Sequence, residues 1–408
     1  MARRVQLVYL LLTALATLAA SLIWGVNTLF LLDAGLDNTQ AFAANAFFTG
    51  GQVLFEIPTG VFADTWGRRR SYLLGAATLL LSTLIYLLMW RARAPLWGWA
   101  IASVLIGLGF TFFSGATEAW LVDALKATGY DGPLEKVFAR GQMVEGAAML
   151  VGSVGGGVLA QATSLGTPYV VRSVLLGLTL LAAFVFMKDL GFTAGDRSRG
   201  LLDEVRSVVR GALDGGWRNP PVRWLMLAAP FSLGVSMYAF YALQPYLLEL
   251  YGDKKAFGVA GLAAALVAGT QILGGPLVPL LSRLFARRTH VLLVGVLVGI
   301  ACLAVLGRTP HFGIALAAVA VWALMFAAAR PVRQAYVNGI VPSAQRATVL
   351  SFDNLMGSAG GMVTQPALGR VADVQGYAAS YLVCAALNVL ALPFLVLARR
   401  ANAASDRP

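Results

Sequence analysis

Hydrophobic residues run along this 408-residue chain in long blocks separated by short polar breaks. The blocks match the roughly 20 residues that a helix needs to cross a hydrocarbon layer about 30 Å thick. They predict twelve spanning helices, over 7–32, 39–62, 72–90, 96–125, 137–161, 168–188, 222–249, 257–283, 289–307, 311–340, 347–369 and 377–398. The start, MARR followed by a stretch containing ALATLAAS, has features of a signal peptide. Its apolar run continues to Leu32, longer than a signal-peptide core, and reads as the first spanning helix. The longest polar interval is 189–221, where Leu201, Val205, Val208, Val209 and Ala212 recur at helical spacing with Arg206 and Arg210 on other faces. That spacing predicts an amphipathic helix lying on the membrane surface.

The chain therefore divides into an N-terminal six-helix bundle over 1–188, a cytoplasmic linker over 189–221, a C-terminal six-helix bundle over 222–400 and a cytoplasmic tail over 401–408. The two bundles are related. Gln52, Arg68 and Arg69 fall on Gln271, Arg287 and Arg288; Glu118-Ala119-Trp120 falls on Gln334-Ala335-Tyr336; and Gly152-Ser153-Val154-Gly155-Gly156 falls on Gly357-Ser358-Ala359-Gly360-Gly361. Three matches in one order, on helices two, four and five and on eight, ten and eleven, argue for an internal repeat of the kind secondary transporters use.

Composition agrees with a polytopic all-α membrane protein. Apolar residues make up 58% of the chain and charged residues 12%, against about 25% charged in a soluble domain. Soluble globules, disordered proteins and nucleic-acid readers are poor readings of such a chain. The net charge of +12 sorts by loop. With the N-terminus inside, 24 of the 31 Lys and Arg residues lie at cytoplasmic ends or loops, and seven lie outside: Arg91, Arg93, Arg172, Lys254, Lys255, Arg308 and Arg370. The bias places both termini in the cytoplasm. Cys302 and Cys384 stand far apart in hydrophobic segments and offer neither a disulfide framework nor a metal site.

After the second span comes GVFADTWGRRRSYLLG. Gly60, Asp64, Gly67, Arg68 and Arg69 fill the pattern Gly-x-x-x-Asp-x-x-Gly-Arg-Arg, which resembles the cytoplasmic loop motif of the major facilitator superfamily. Glycines allow a tight turn between closely packed helices, and Asp64 beside three arginines makes a charged cluster at the membrane edge. Together with twelve spans and a 6+6 repeat, the resemblance covers essentially the whole chain. It implies the major facilitator fold, two pseudo-symmetric bundles in a bacterial inner (plasma) membrane, a monomer, and a cytoplasmic lock between the halves that opens during transport. The counterpart PLLSRLFARRTHV keeps Arg287 and Arg288 but has Arg283 where Asp64 falls, so the lock is expected to be asymmetric.

Ionisable residues inside a span cost about 2.5–3.5 kcal/mol on insertion scales and are functional candidates by default. Four stand out: Glu118 and Asp123 on helix four, Glu145 on helix five, and Asp353 beside Asn354 on helix eleven. Asp123, being shallow, is expected to partner loop arginines or Arg140 in the gate. Glu118 is deeper. In the family arrangement, helices one, four, seven and ten line the central cavity, which puts Glu118 opposite Arg330 and Arg333. Two readings stand there: an inter-half salt bridge closing the inner gate, and a proton or substrate site. A carboxylate in a low-dielectric cavity holds its proton more tightly unless paired, so Glu118 is the first candidate for proton coupling, with Glu145 and Asp353 as alternates. His290 and His311 sit at helix ends and compete poorly. The cavity helices also bring Trp24, Asn27, Trp120, Tyr238, Tyr241, Gln244, Trp322 and Phe326, a lining suited to a semi-apolar and even cationic ligand, although any one of these aromatics serves equally well as helix packing. Asp33, near the outer end of helix one, reads as a solvated helix end.

Departures from the family's drug exporters limit this reading. Thr111 stands where those members carry an arginine in helix four, and the helix-five glycines lack the accompanying proline. Small residues still let helices approach and slide. No HExxH, GxSxG or Walker pattern supports an enzyme or an ATP-driven pump, and a non-transporting sensor needs no buried carboxylates on several helices. No metal or cofactor is expected. The sequence thus predicts a secondary active transporter with the lipid bilayer, protons and a small molecule as partners. The favoured form is proton-coupled export of an amphipathic compound, and the alternative is a proton symporter importing a nutrient or organic ion.

Overall fold

The computed structural model describes residues 1–114, 116–193, 206, 210–211, 213–342 and 345–407. The apolar face predicted for the linker, Leu201, Val205, Val208, Val209 and Ala212, lies outside the described residues. All regular structure among the described residues is helical. In chain order the helices are α1 (Ala2–Ser21), α2 (Asn27–Asp33), α3 (Asn38–Trp66), α4 (Arg68–Ala92), α5 (Leu96–Phe113), α6 (Ala116–Ala127), α7 (Leu134–Ala162) and α8 (Thr167–Phe186). There follow α9 (Pro220–Ala229), α10 (Val235–Tyr251), α11 (Phe257–Leu284), α12 (Arg288–Leu306), α13 (Phe312–Asn338), α14 (Arg346–Val389) and α15 (Ala391–Arg400). Ten helical stretches among the described residues are long and apolar enough to cross a membrane. One of them, Thr348–Arg400, is broken at Gly376 by a φ of 83° and holds two crossings, and the more polar 29-residue α3 completes the predicted twelve.

Three predicted spans are not continuous α-helices. The first opens between α1 and α2, where a Cβ on Gly25 would stand 2.7 Å from the Cα of Gly261. Backbones that close leave no room for a side chain, and the helix unwinds where they meet. The fourth breaks after Phe113, where Ser114 turns to ψ 121° and helix resumes at Ala116. The seventh passes through a π-helical turn, Pro230–Gly234, between α9 and α10. Proline has no N–H to donate, so the ladder slips there to the wider spacing.

The chain forms two compact units. The first comprises 1–36, 47–201 and 255–265, and the second 37–46, 202–254 and 266–408. Each unit is thus completed by the first turns of a helix, α11 or α3, whose remainder belongs to the other. Those first turns are capped within their own unit. In the first, Gln161 Oε1 at the end of α7 accepts the N–H of Gly258 at 2.9 Å. In the second, the Asp373 carboxylate accepts the N–H groups of Asn38 and Thr39, both at 2.9 Å. Asp37 and Gln40 add a reciprocal capping box, 2.8 Å and 3.3 Å.

The repeat is visible in packing. In the first unit Gly152 and Gly156 of α7 receive Ser21 and Leu22 of the first span, and Ser21 Oγ donates to the carbonyl of Ala148 at 3.2 Å. In the second unit, Gly357 of α14 lies on Leu233, and Gly360 presses on the backbone of Pro230. Gly152 and its sequence counterpart Gly357 thus both make a close approach, whereas the backbone contact falls on Gly156 in the first unit and on Gly360, the counterpart of Gly155, in the second.

Candidate functional site

The loop motif is held by residues that follow the sixth span. Gly67 caps α4 with φ 109°, a conformation glycine adopts freely, and a Cβ there would also stand 2.7 Å from Asp189 Oδ2. Glycine has no side chain with which to cap, and Asp189 does so instead: Oδ1 accepts the N–H of Arg69 at 2.8 Å. The Arg69 side chain donates to the carbonyl of Phe184 at 2.7 Å, with its guanidinium 5.3 Å from that ring. Asp64 pairs with Arg68 one turn on. Trp120 is buried and donates its indole N–H to the carbonyl of Lys188 at 2.7 Å. Asp123 forms no ion pair among the described residues, so the expected pairing with loop arginines or Arg140 is replaced by a contact in which Gly191, φ 72°, packs on the Asp123 carbonyl. Gly60 faces open space and is not required by a close contact here.

A second group lies farther along the first unit. Ser114, at the α5–α6 break, donates to Glu56 Oε1 at 2.8 Å. Glu56 is an ionisable residue in the middle of α3 that the sequence reading passed over, although the rule applied to Glu118 covers it equally. Glu118 occupies the first turn of α6, just past the break. Glu118 and Glu145 stand within electrostatic reach of one another, and the Tyr9 phenol within reach of both. Glu56, Glu118 and Glu145 are all exposed rather than walled in by side chains. Arg172, counted among the outer charges by its position, is 1% exposed in the interior of this unit. It donates to Thr83 Oγ1 at 3.1 Å and to the carbonyl of Ala19 at 3.3 Å, and its Nη2 has no hydrogen-bond partner among the described residues. Only tertiary structure could reveal that placement. In the same unit the Tyr169 hydroxyl donates to Asn27 Oδ1 at 2.9 Å, and Trp24 lies at the α1–α2 break.

The second unit contains an open cleft. Its walls come from the π-turn and start of α10 (Ser232, Ser236), from α12, from α13 (Trp322, Phe326, Arg330, Arg333) and from Asn388. Arg333 is engaged by Asp353, Nε to Oδ2 at 2.7 Å and Nη2 to Oδ1 at 2.6 Å, and Nη2 also donates to the carbonyl of Leu225 at 2.8 Å. The fork-to-fork pair is largely buried. Asp353 is therefore neutralised by an arginine of its own unit. Of the remaining expected cavity residues, Tyr238 is fully buried and donates to Ser380 at 2.7 Å, Gln244 is buried, and Tyr241 is half-buried on α10; none of the three lines the cleft.

Comparison with known proteins bears on the whole chain. The family described as Major Facilitator Superfamily matches residues 9–279 and again 254–408. No curated protein matches the sequence. Among solved structures, the nucleoside transporter NupG superposes with a TM-score of 0.80 at 12% identity, covering 96% of this chain and 98% of that one. A bacterial homologue of the human lysosomal transporter Spinster, in an inward-facing and unoccupied conformation, gives 0.72 at 18%, covering 100% and 98%. The POT family transporter PepTSo gives 0.75 at 13%, covering 98% of each chain. At these identities the likeness is one of fold.

Proposed function

Because this chain belongs to the major facilitator superfamily, and is a multi-pass secondary transporter of small molecules rather than an enzyme, we propose that it couples the export of a small amphipathic compound to protons through carboxylates of its first unit. The observation that carries the reading is the set Glu118, Glu145 and Tyr9, mutually within electrostatic reach, with Glu56 hydrogen-bonded at the adjoining helix break. An exposed carboxylate in a spanning segment is tolerable only where water reaches it. Three of them mark a wet path along α3, α6 and α7. Two carboxylates in one field resist carrying charge together, so one of them takes up and releases a proton as the site opens and closes. Glu118 is the main coupling group, Glu145 its partner, and Glu56 joins them. Asp353, already paired with Arg333, contributes as a gate rather than as a proton carrier.

In this reading the two halves of the sequence rock about the substrate site, the loop motif with Asp189 anchors the cytoplasmic side, and Asp123 buttresses it. The protein works as a monomer in the inner membrane with both termini in the cytoplasm, as the Lys and Arg bias directs. Proteoliposomes loaded with a pH-sensitive dye test the coupling. On addition of aromatic amphipaths of either charge, the wild-type protein moves protons with the solute, and Glu118→Gln retains solute exchange while losing the proton signal. Undiminished coupled flux in Glu118→Gln removes that residue from the mechanism, and proton and solute moving in the same direction establishes the importing symporter in place of export.

A further inference from the structure

The cleft of the second unit carries an unbalanced charge. Arg333 is cancelled by Asp353, whereas the guanidinium of Arg330, on the same wall one turn earlier, has no hydrogen-bond or ion-pair partner among the described residues. No acidic residue lines the cleft among the described residues. Besides Arg333, the cleft shares with Arg330 two serines and the Asn388 amide. Ser232 Oγ donates to the carbonyl of Ala228 at 3.0 Å and Ser236 Oγ to that of Ser232 at 2.7 Å, so the proton of each hydroxyl is committed and its lone pairs are left to accept. Ser232 sits in the π-helical turn, a distortion that recurs at functional sites, and Ser236 lies one turn on, at the start of α10. Trp322 and Phe326 supply an aromatic wall, their centroids 6.2 Å apart. Across from α13, Gly295 and Gly299 of α12 open the space: a Cβ on either would meet nothing nearer than 3.7 Å.

We propose that this cleft binds a small organic anion: an aromatic body against Trp322 and Phe326, an anionic group on Arg330, and an N–H or O–H donor toward Ser232 and Ser236. The lining, apolar and aromatic with a few polar groups, suits such a ligand. A ring face alone attracts a cation, but a full guanidinium charge in the same space outweighs a ring quadrupole and selects the opposite sign. This names the substrate class for the transport reading above and rests on it for its physiological meaning, though binding itself does not require transport.

Three indole compounds of like size separate the possibilities: indole-3-acetate, an anion with a ring N–H; tryptamine, a cation; and 3-methylindole, neutral. Titrated into the purified full-length protein in nanodiscs, indole-3-acetate is expected to bind about tenfold or more tighter than tryptamine, the preference of one charge-assisted contact. Arg330→Gln removes that preference and Arg330→Lys largely keeps it. Gly295→Leu, which fills open space rather than striking backbone, weakens binding of indole-3-acetate, and a thermal unfolding curve like that of the wild type shows the variant folded. Tryptamine binding as tightly as the anion, an Arg330→Gln protein with unchanged affinity for indole-3-acetate, or no binding of any of the three at millimolar concentration overturns the proposal. Binding of indole-3-acetate without flux in the dye-loaded proteoliposomes sinks the transport reading and leaves the site standing. Coupled flux of tryptamine with no binding of the anion does the reverse.

Discussion

Asp406 accepts the backbone N–H of Thr289 at 2.8 Å and the Thr289 hydroxyl at 2.9 Å, capping the second residue of α12 as Asp189 caps Arg69, the second residue of α4. In both units an acid that follows the last crossing returns to the start of the third. The octet predicted to be a cytoplasmic tail is in this respect part of the second unit: Asp406 is 2% exposed, Arg288 donates to the carbonyl of Ser405, and Ser405 donates to that of Tyr336 at 2.9 Å. Of the two arginines aligned by sequence with Arg68 and Arg69, Arg287 thus finds its counter-charge in Asp406, and Arg288 donates to backbone carbonyls of the tail.

Asp189→Ala is expected to destabilise the purified protein by about 1 kcal/mol, the usual worth of a charged helix cap. Asp189→Ser, with a shorter acceptor, recovers part of that loss. Apparent melting temperature in detergent, compared across the three proteins, is the measurement. Equal values for wild type and Asp189→Ala would mean that the cap contributes nothing.

Asp406→Ala removes a cap, a hydroxyl acceptor and the 3.8 Å ionic contact with Arg287. The loss is expected to exceed that of Asp189→Ala, at about 2 kcal/mol, because the acid is buried and the Thr289 hydroxyl loses its acceptor. Limited proteolysis near residues 401–408 reports whether the tail undocks. A tail no more susceptible than in the wild type counts against this role.

Arg333 and Asp353 call for a double-mutant cycle. Either single change, Arg333→Met or Asp353→Leu, leaves a buried charge without its partner and is expected to cost about 3–5 kcal/mol. The double variant should lose far less than the sum, because no charge is left stranded. Additive losses would show that the two side chains act independently despite their 2.6 Å contact.

Twelve crossings, the repeat and the loop motif were legible because each is written in local sequence: block length, glycine spacing, a run of arginines. Asp189, Asp373 and Asp406 were not, because a cap supplied from 117 or more residues away leaves no periodicity at either end. Arg172 looked topogenic since its position near a helix end is visible in sequence, whereas its burial against Thr83 and Ala19 is not. Glu56 differs in kind, since a charge in mid-span is written in the local sequence. Arg333 pairs with Asp353 of its own unit. Position on a lining helix does not say which neighbouring helix supplies the nearer acid.

The glycines of α7 provide the last and sharpest separation of sequence pattern from physical requirement. Gly155 and Gly156 are adjacent in one glycine run, and by propensity alone either becomes a better helix former as alanine, by roughly 1 kcal/mol. Their surroundings differ. A Cβ on Gly155 meets nothing within 4 Å, whereas one on Gly156 would overlap the carbonyl of Leu22, with the Leu22 Cα at 3.0 Å. Backbone cannot turn aside as a side chain can, so Gly156→Ala must push the first span off α7. We expect Gly155→Ala to be neutral or slightly stabilising and Gly156→Ala to cost about 1–3 kcal/mol, the usual range for overpacking, with a matching loss of folded protein on size-exclusion chromatography. In the second unit the tight position is Gly360, the sequence counterpart of Gly155: it is pressed on the Pro230 backbone and should resist alanine as Gly156 does. If Gly155→Ala and Gly156→Ala behave alike, the close approach of the first span and α7 is not what those glycines are for.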